Sequence, residues 1–447
     1  MRPKMTRSIE AMLILKKFTI LNFILFLPTT LMKLLIFTWN TQSVKLCETD
    51  SESVSDQHRS GYQFMGMTLT SWRYTCAMPD FWPFLLEKIQ LHNPDVVVIG
   101  FQEDRHPGSY FHSHFLPEKM PEYGYTLVKR TKMLGLGKTS YDNLKRMDPM
   151  RRGIRCSVYS KELLKFQIER RELSLRTLLP PDGQDEFVCS SGSSSSLIRG
   201  KGGTISYLSL PEIGTIAFVC VHLPFNSRTL IEQKVTQDKM IRQTELNSCN
   251  AHFNQIVSAV LHNLDGVNHV FFFGDLNYRL SSELSAAGLQ KMLKERLLTE
   301  APVKILDTVP SSSSGKVVEA IKEEDNSDEE TEKIYDHILP NLYTELYTKY
   351  DELYEQMNRG NIYHFQEGVN NAGPQFDPTY KLDHNRRWKL GRWDQRVPSW
   401  CDRILYRDNF ESSHRVKCLA YERFDCGKTM AQSDHAAVLG IYELGPK

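Results

Sequence analysis

Three short runs of almost unbroken apolar residues limit what this chain can fold into. Asp95 to Phe101, Ile216 to Val221 and Val270 to Phe273 are dominated by β-branched and aromatic side chains. Runs of that kind are too apolar for strands with one wet face and belong inside a sheet covered on both sides. Each run ends in polar residues: Gln102-Glu103, then His222, then Asp275 with Asn277. Delivering polar groups from the ends of several buried strands to one edge is how α/β scaffolds build a site. Lys33 to Trp39 reads as a first strand, leading to Asn40. Asp80 to His92 has helical spacing of Phe81, Phe84, Leu85 and Ile89 until Asn93-Pro94 stops it.

The 447 residues accommodate one large domain with insertions or two ordinary ones. A formal net charge of +1 supplies no global field for nucleic acid or an anionic membrane, so any basic site is local. The nine cysteines are scattered without CxxC spacing, which indicates neither a zinc site nor a redox motif; reduced thiols in a cytosol-facing domain are the simpler reading. Basic residues Arg2, Lys4, Arg7 and Lys16-Lys17 precede the mostly apolar Phe18 to Met32. That run falls short of the roughly 20 residues a spanning helix needs, so residues 1–30 are either a leader or anchor, or simply the lead into the core. Two stretches read as insertions: about 180–200, rich in Ser, Gly and Pro, and 311–333, a Ser tract running into acidic residues that cannot form a core. Tyr343 to Met357 reads as one helix with a core-facing stripe.

Two segments carry the chemistry. Phe271 to Arg279 and Pro398 to Leu405 each combine an apolar strand with Asp and Arg, the first adding Asn277 and the second Trp400. An ionisable pair at a strand's mouth is costly unless it is hydrogen-bonded or working. Hydrolysis of a phosphate ester needs a metal, hydrogen-bond donors and a group that activates or orients water. Glu103 suits Mg²⁺, which takes one or two carboxylates and keeps its waters, and Asn40 can supply an amide oxygen beside it. Asp275 can accept the water's proton, with Asn277 on the same side of an extended strand. His222 and His435 can donate to phosphoryl oxygens, and Asp402 can orient one imidazole. Taken singly, a strand-end Glu or His is a solvated edge residue and Asp-x-Asn is a turn former. It is their recurrence at the same structural place that points to a metal-assisted phosphoesterase.

From these residues, over roughly Leu34 to Leu444, the chain resembles the inositol polyphosphate 5-phosphatases of the exonuclease–endonuclease–phosphatase superfamily. The family's GDxNxR and PxWCDR(I/V)L signatures match Gly274 to Arg279 and Pro398 to Leu405. Shorter matches are Gln102-Glu103, Lys201-Gly202-Gly203, Val221-His222-Leu223, Pro378-Thr379-Tyr380-Lys381 and Ser433-Asp434-His435, in the family's order. The resemblance implies an α/β (α+β) fold of deoxyribonuclease-I type, a four-layer sandwich of two mixed β-sheets flanked by helices, filling residues 31–447. It implies Mg²⁺-dependent attack of water on the 5-phosphate of a phosphoinositide or soluble inositol polyphosphate. By analogy Glu103 holds the metal with Asn40 nearby, Asp275 is the candidate base, and Asn277, His222 and His435 meet the scissile phosphate. Asp402 pairs with His435, and Asp434 is a further metal-proximal or water-orienting carboxylate.

Substrate contacts are expected from Lys201, Arg403, Tyr380, Lys381 and Arg396, the last three at the neighbouring 4-phosphate. Asp394 stands where the family commonly has Lys, so a retained but weakened 4-phosphate preference is expected. Phe111, Phe115 and Leu116, then Met133, Leu134 and Leu136, lie where family members carry lipid-contacting loops; local packing is the equal alternative. The implied partners are the phosphorylated inositol substrate and a transient membrane surface, with no nucleic acid, at the cytosolic face of membranes. Two rivals remain: a nuclease or phosphodiesterase of the same superfamily, and a catalytically silent membrane-binding scaffold.

Overall fold

The computed structural model describes residues 31–42, 59–64, 67–72, 79–106, 111–134, 151–161, 186–188, 201–223, 246–260 except 248 and 259, 267–280, the positions 284, 289, 291, 292 and 295, 342–382 and 398–447. Residues 1–30, the stretches 180–185, 189–200 and 311–333, the segment holding Asp394 and Arg396, and Leu136 lie outside them, as do the side chains of Met133 and Leu134.

The strands of the main body are β1 (Met32–Asn40), β4 (Val96–His106), β5 (Tyr125–Leu134), β6 (Arg151–Lys161), β7 (Glu186–Val188), β8 (Gly202–Leu210), β9 (Gly214–His222), β10 (Val267–Asp275), β11 (Gln366–Glu367), β12 (Asp402–Asp408), β13 (His414–Phe424) and β14 (Ala437–Pro446), with a hairpin of β2 (Arg59–Phe64) and β3 (Met67–Trp72) apart. They form two six-stranded sheets, ordered β13-β14-β1-β4-β6-β5 and β11-β12-β10-β9-β8-β7. Each sheet has one parallel pair at its centre, β1 with β4 and β9 with β10, and antiparallel neighbours around it, so both sheets are mixed.

Side-chain alternation explains the apolar runs. In β1, Leu34 and Ile36 face the space between the sheets, while Leu35, Phe37 and Trp39 face outward onto the helix Trp82–His92 and the segment from Phe111 to Met120. In β10, Phe271 and Phe273 point inward, and Phe272 packs outward with the helix at 246–260. Helices therefore cover both outer faces, and the order helix–sheet–sheet–helix is the four-layer arrangement. The helix Trp82–His92 begins with Pro83 in its first turn and ends at Asn93, left-handed at φ 45°, whose N–H bonds Ile89 O ahead of Pro94.

One open choice is decided here and one expectation fails, each for a physical reason. Of the two alternatives for Phe111, Phe115 and Leu116, local packing holds: at 0%, 4% and 0% exposure they stack into the outer core against Phe81, Trp82 and Phe101. The stretch 343–357 is not one helix. A first helix ends at 350, Asp351 turns extended (φ −74°, ψ 118°), and its carboxylate caps the next helix, Glu352–Asn358, by accepting Tyr354 N–H at 2.9 Å. An Asp that can cap a new helix start competes with continuing the old one. No helix among the described residues is long and apolar enough to cross a membrane.

Candidate active site

The topology sends the chemistry to one end. The parallel central strands all finish there, with Asn40 on β1, Glu103 on β4, His222 on β9 and Asp275 on β10. Antiparallel β12 and β14 start there, bringing Asp402 and, just before β14, His435. The register pairs Asp275 with both His222 and Asp402.

Asp275 sits at the centre and is 2% exposed. Gly274 before it has φ +134°, and a Cβ there would lie 2.0 Å from Val221 O, so the Gly of the first signature is required for the strands to close. Asp275 Oδ1 accepts the N–H of Asn277 at 3.1 Å, a turn closed on its own backbone. Its Oδ2 accepts from Asn40 Nδ2 at 2.9 Å and lies 3.1 Å from His222 Nε2. Burial alone would raise this carboxyl, but the charges and hydrogen bonds of His222, with His435 and Lys201, hold it far below the usual carboxylate range. Asp275 is thus firmly ionised, and an oxygen so stabilised is a weak Brønsted base. The arrangement suits it better to orienting groups around it than to keeping a proton.

The two histidines are in opposite states. Burial and the neighbouring ammonium of Lys201, which lies in hydrogen-bonding contact with Nε2, hold His222 below its ordinary value against the pull of Asp275. His435 is pushed the other way, up to about 9: burial disfavours its charge, yet Asp402, Asp275 and Asp434 outweigh it. Its Nδ1 bonds Asp402 Oδ2 at 2.7 Å, and its Nε2 lies 3.8 Å from Asp434 Oδ1. The same Asp402 oxygen accepts the hydroxyl of Thr379 at 2.8 Å, and Thr379 Oγ1 in turn accepts the N–H of Cys401 and Asp402. Asp402 is fully buried and raised by that burial, and its Oδ1 has no hydrogen-bond partner among the described residues. At neutral pH the proton nevertheless rests on His435, and the pair is ionic.

Glu103 leaves the strand at a bulge between Phe101 and Asp104, with φ +52° and its side chain 17% exposed, the most open of these carboxylates except Asp434. Its Oε1 lies 3.9 Å from His222 Nε2. Asn40 turns its amide nitrogen to Asp275, and its oxygen accepts the N–H of Gln42 at 3.1 Å, leaving a single lone pair for a metal. Among the described residues no three His, Cys, Asp or Glu stand together as a ligand set. Mg²⁺ does not need one, since one or two carboxylates and its own waters suffice, so an outward-turned Glu103 fits a hard cation of that kind.

The segment Thr379 to Leu382 is clamped beside this cluster. Tyr380 bridges Ser399 on one side and His435 on the other, and Leu382 N–H bonds Asp434 O at 2.9 Å. The Tyr380 ring lies 4.6 Å from the His435 ring, with Lys381 exposed next to it. Arg403 is the correction. It is 0% exposed, and its guanidinium is consumed by Asp351 and Glu367, so it binds no substrate. Thr379 and Arg279 were missed as site residues; both sat inside quoted motifs, but neither type signals catalysis by itself.

A sequence profile of the "Endonuclease/Exonuclease/phosphatase family 2" matches residues 37–306 and 321–441. Type II inositol polyphosphate 5-phosphatase 14 of Arabidopsis thaliana is 34% identical over 98 residues, 20% of this chain and 8% of that protein. Type I inositol polyphosphate 5-phosphatase 2 of Arabidopsis thaliana is 24% identical over 253 residues, 55% of this chain and 29% of that protein. The chain therefore spans less than a third of the length of each of these two relatives. Among solved structures, the inositol polyphosphate 5-phosphatase domain of SPsynaptojanin, in complex with inositol (1,4)-bisphosphate and calcium ion, aligns with a TM-score of 0.45 at 17% identity, covering 93% of this chain and 86% of that one.

Proposed function

The chain belongs to the endonuclease/exonuclease/phosphatase family 2, and we propose that within it this protein hydrolyses the 5-phosphate of phosphoinositides such as phosphatidylinositol 4,5-bisphosphate and of soluble inositol polyphosphates. One observation carries the proposal: Glu103, His222, Asp275 and the Asp402–His435 ion pair meet at a single end of two sheets, with His222 and His435 beside Asp275 shifted in opposite directions. The PTYK and PSWCDR segments that distinguish inositol phosphatases from nucleases pack directly on His435 and Asp402.

In this reading the charged His435 donates from Nε2 to a phosphoryl oxygen, its Nδ1 fixed by Asp402. Asp275 orients the attacking water and balances the charges of His435 and Lys201 on the same wall. Mg²⁺ beside Glu103 supplies charge neutralisation of the phosphoryl oxygens when bound. Asn277 contributes an amide donor. Tyr380 and Lys381 flank His435 and are the readers of a 4-phosphate, which favours substrates that carry one. With Phe111, Phe115 and Leu116 buried, that segment offers a bilayer nothing, and soluble inositol polyphosphates stand beside lipids as substrates. Action at the cytosolic face of membranes is part of the proposal, as the compartment where such lipids meet reduced thiols; the described cysteines are thiols. The test is phosphate release from phosphatidylinositol 4,5-bisphosphate and inositol 1,4,5-trisphosphate with Mg²⁺ or with EDTA, the product's remaining phosphates being assigned by ³¹P NMR. Loss of the 5-phosphate alone, abolished by EDTA, is expected; cleavage of phosphodiesters instead would return the site to its nuclease relatives.

A further inference from the structure

Arg279 closes the first signature, and its surroundings give it a task beyond that. Its Nη2 donates to Asn277 Oδ1 at 2.9 Å, and its guanidinium carbon lies 4.2 Å from the centre of the Tyr380 ring. The Tyr380 ring in turn lies against the imidazole of His435. The backbone of Arg279 is tied from both directions: its N–H donates to Glu352 Oε2 at 2.8 Å and its carbonyl accepts Glu352 N–H at 2.9 Å. The following residue, Leu280, donates to Ser399 Oγ at 3.1 Å, inside the second signature.

We propose that Arg279 is a positioning residue: it fixes the Asn277 amide so that only N–H hydrogens face the substrate, and it holds the Tyr380 ring against His435. The amide has one orientation that satisfies both neighbours. Its oxygen takes the guanidinium, and one hydrogen of Nδ2 goes to Leu223 O at 2.9 Å. Flipped, it would set nitrogen against guanidinium and oxygen against carbonyl, losing both bonds. Phosphoryl oxygens only accept hydrogen bonds, so a donor-only face is the one they need. The work also calls for arginine, whose planar fork donates in its plane while its face stacks on an aromatic ring; an ammonium does not do both with fixed geometry.

The inference rests on the phosphatase reading and acts through Asn277, so a double-mutant cycle is the test. Wild type, Arg279→Met, Arg279→Lys, Asn277→Ala and the Asn277→Ala/Arg279→Met double variant are compared in steady-state hydrolysis of short-chain phosphatidylinositol 4,5-bisphosphate with Mg²⁺. Misplacement of a reacting-phosphate donor lowers kcat of Arg279→Met by about 10- to 100-fold. KM moves far less, and Arg279→Lys recovers only part of the loss. The double variant is no slower than the slower single one by more than about twofold, because the two residues act as a unit. Full rescue by Lys, losses that multiply, or a loss confined to KM would each overturn the inference while leaving the activity in place. An inactive wild type would instead remove the phosphatase reading and the inference with it. Should Arg279→Met fail to fold, Arg279→Gln enters the same cycle.

Discussion

The two signature segments each carry an aspartate and an arginine, and the two arginines live in opposite surroundings. Arg279 lies at the catalytic end, stacked on Tyr380 and bonded to Asn277. Arg403 is buried completely, its guanidinium bonded to Asp351 Oδ2 at 2.9 Å, to both oxygens of Glu367 and to Trp400 O at 3.2 Å. Glu367 also accepts the hydroxyls of Tyr347 and Tyr421. Two carboxylates against one guanidinium leave excess negative charge in the interior. Burial pushes Asp351 up to about 6 even with Arg403 pulling it down. The same residue type, in motifs of similar pattern, thus serves chemistry in one segment and architecture in the other. What decides is the direction of the side chain: Asp402 and Arg403 are neighbours on β12, so one faces the site and the other the opposite side.

The sharpest way to break this comparison lies within the second segment. Asp402→Asn keeps the packing but loses the charge that orients and protonates His435, and kcat is expected to fall by about 10³- to 10⁴-fold, as for other orienting carboxylates. The pH profile is a second readout. His435 is raised above its unfolded value, so it carries its proton up to about pH 9, and activity that needs the imidazolium declines as pH rises through that value. In Asp402→Asn the decline moves to lower pH; an unmoved limb would separate His435 from the reaction. Thermal stability should change much less than rate.

Arg403→Met should do the reverse, leaving two buried carboxylates without their cation and costing about 3–5 kcal/mol of stability. Denaturant unfolding measures it, and a well-folded variant that had lost only substrate affinity would restore Arg403 to the binding site. The smallest effect is at Asp351. Its folded pKa is raised from 3.8 to about 6, so its contribution to stability is fully present below pH 3.8 and is lost as pH rises through 6. Asp351→Asn keeps a capping side chain and should flatten this dependence between about pH 4 and 6, with only about 1 kcal/mol of change at pH 7. A steeper slope in the variant would contradict the excess-charge account.

Much of this was legible along the chain. The apolar runs became β4, β9 and β10, and their polar endings met at one end, because a strand buried on both faces has no other composition open to it. Arg403 was not legible, since its partners Asp351 and Glu367 are distant in sequence and lie in a stretch whose pattern reads as helix and loop. The break at Asp351 was hidden for the same reason: an apolar stripe at helical spacing continues across a residue that prefers to cap. The inward turn of Phe111 and Leu116 depended on the outer layer having room for them, which no local pattern states.

The account's central claim is that the cluster around Asp275 hydrolyses a phosphate monoester. Release of inorganic phosphate from phosphatidylinositol 4,5-bisphosphate vesicles with Mg²⁺, compared between wild type and Asp275→Ala at equal folded concentration, tests it most directly. Steady release by wild type and a rate lower by about 10³-fold or more in the variant is the predicted result. Equal release by both, or none by wild type beside an active control phosphatase, would contradict it.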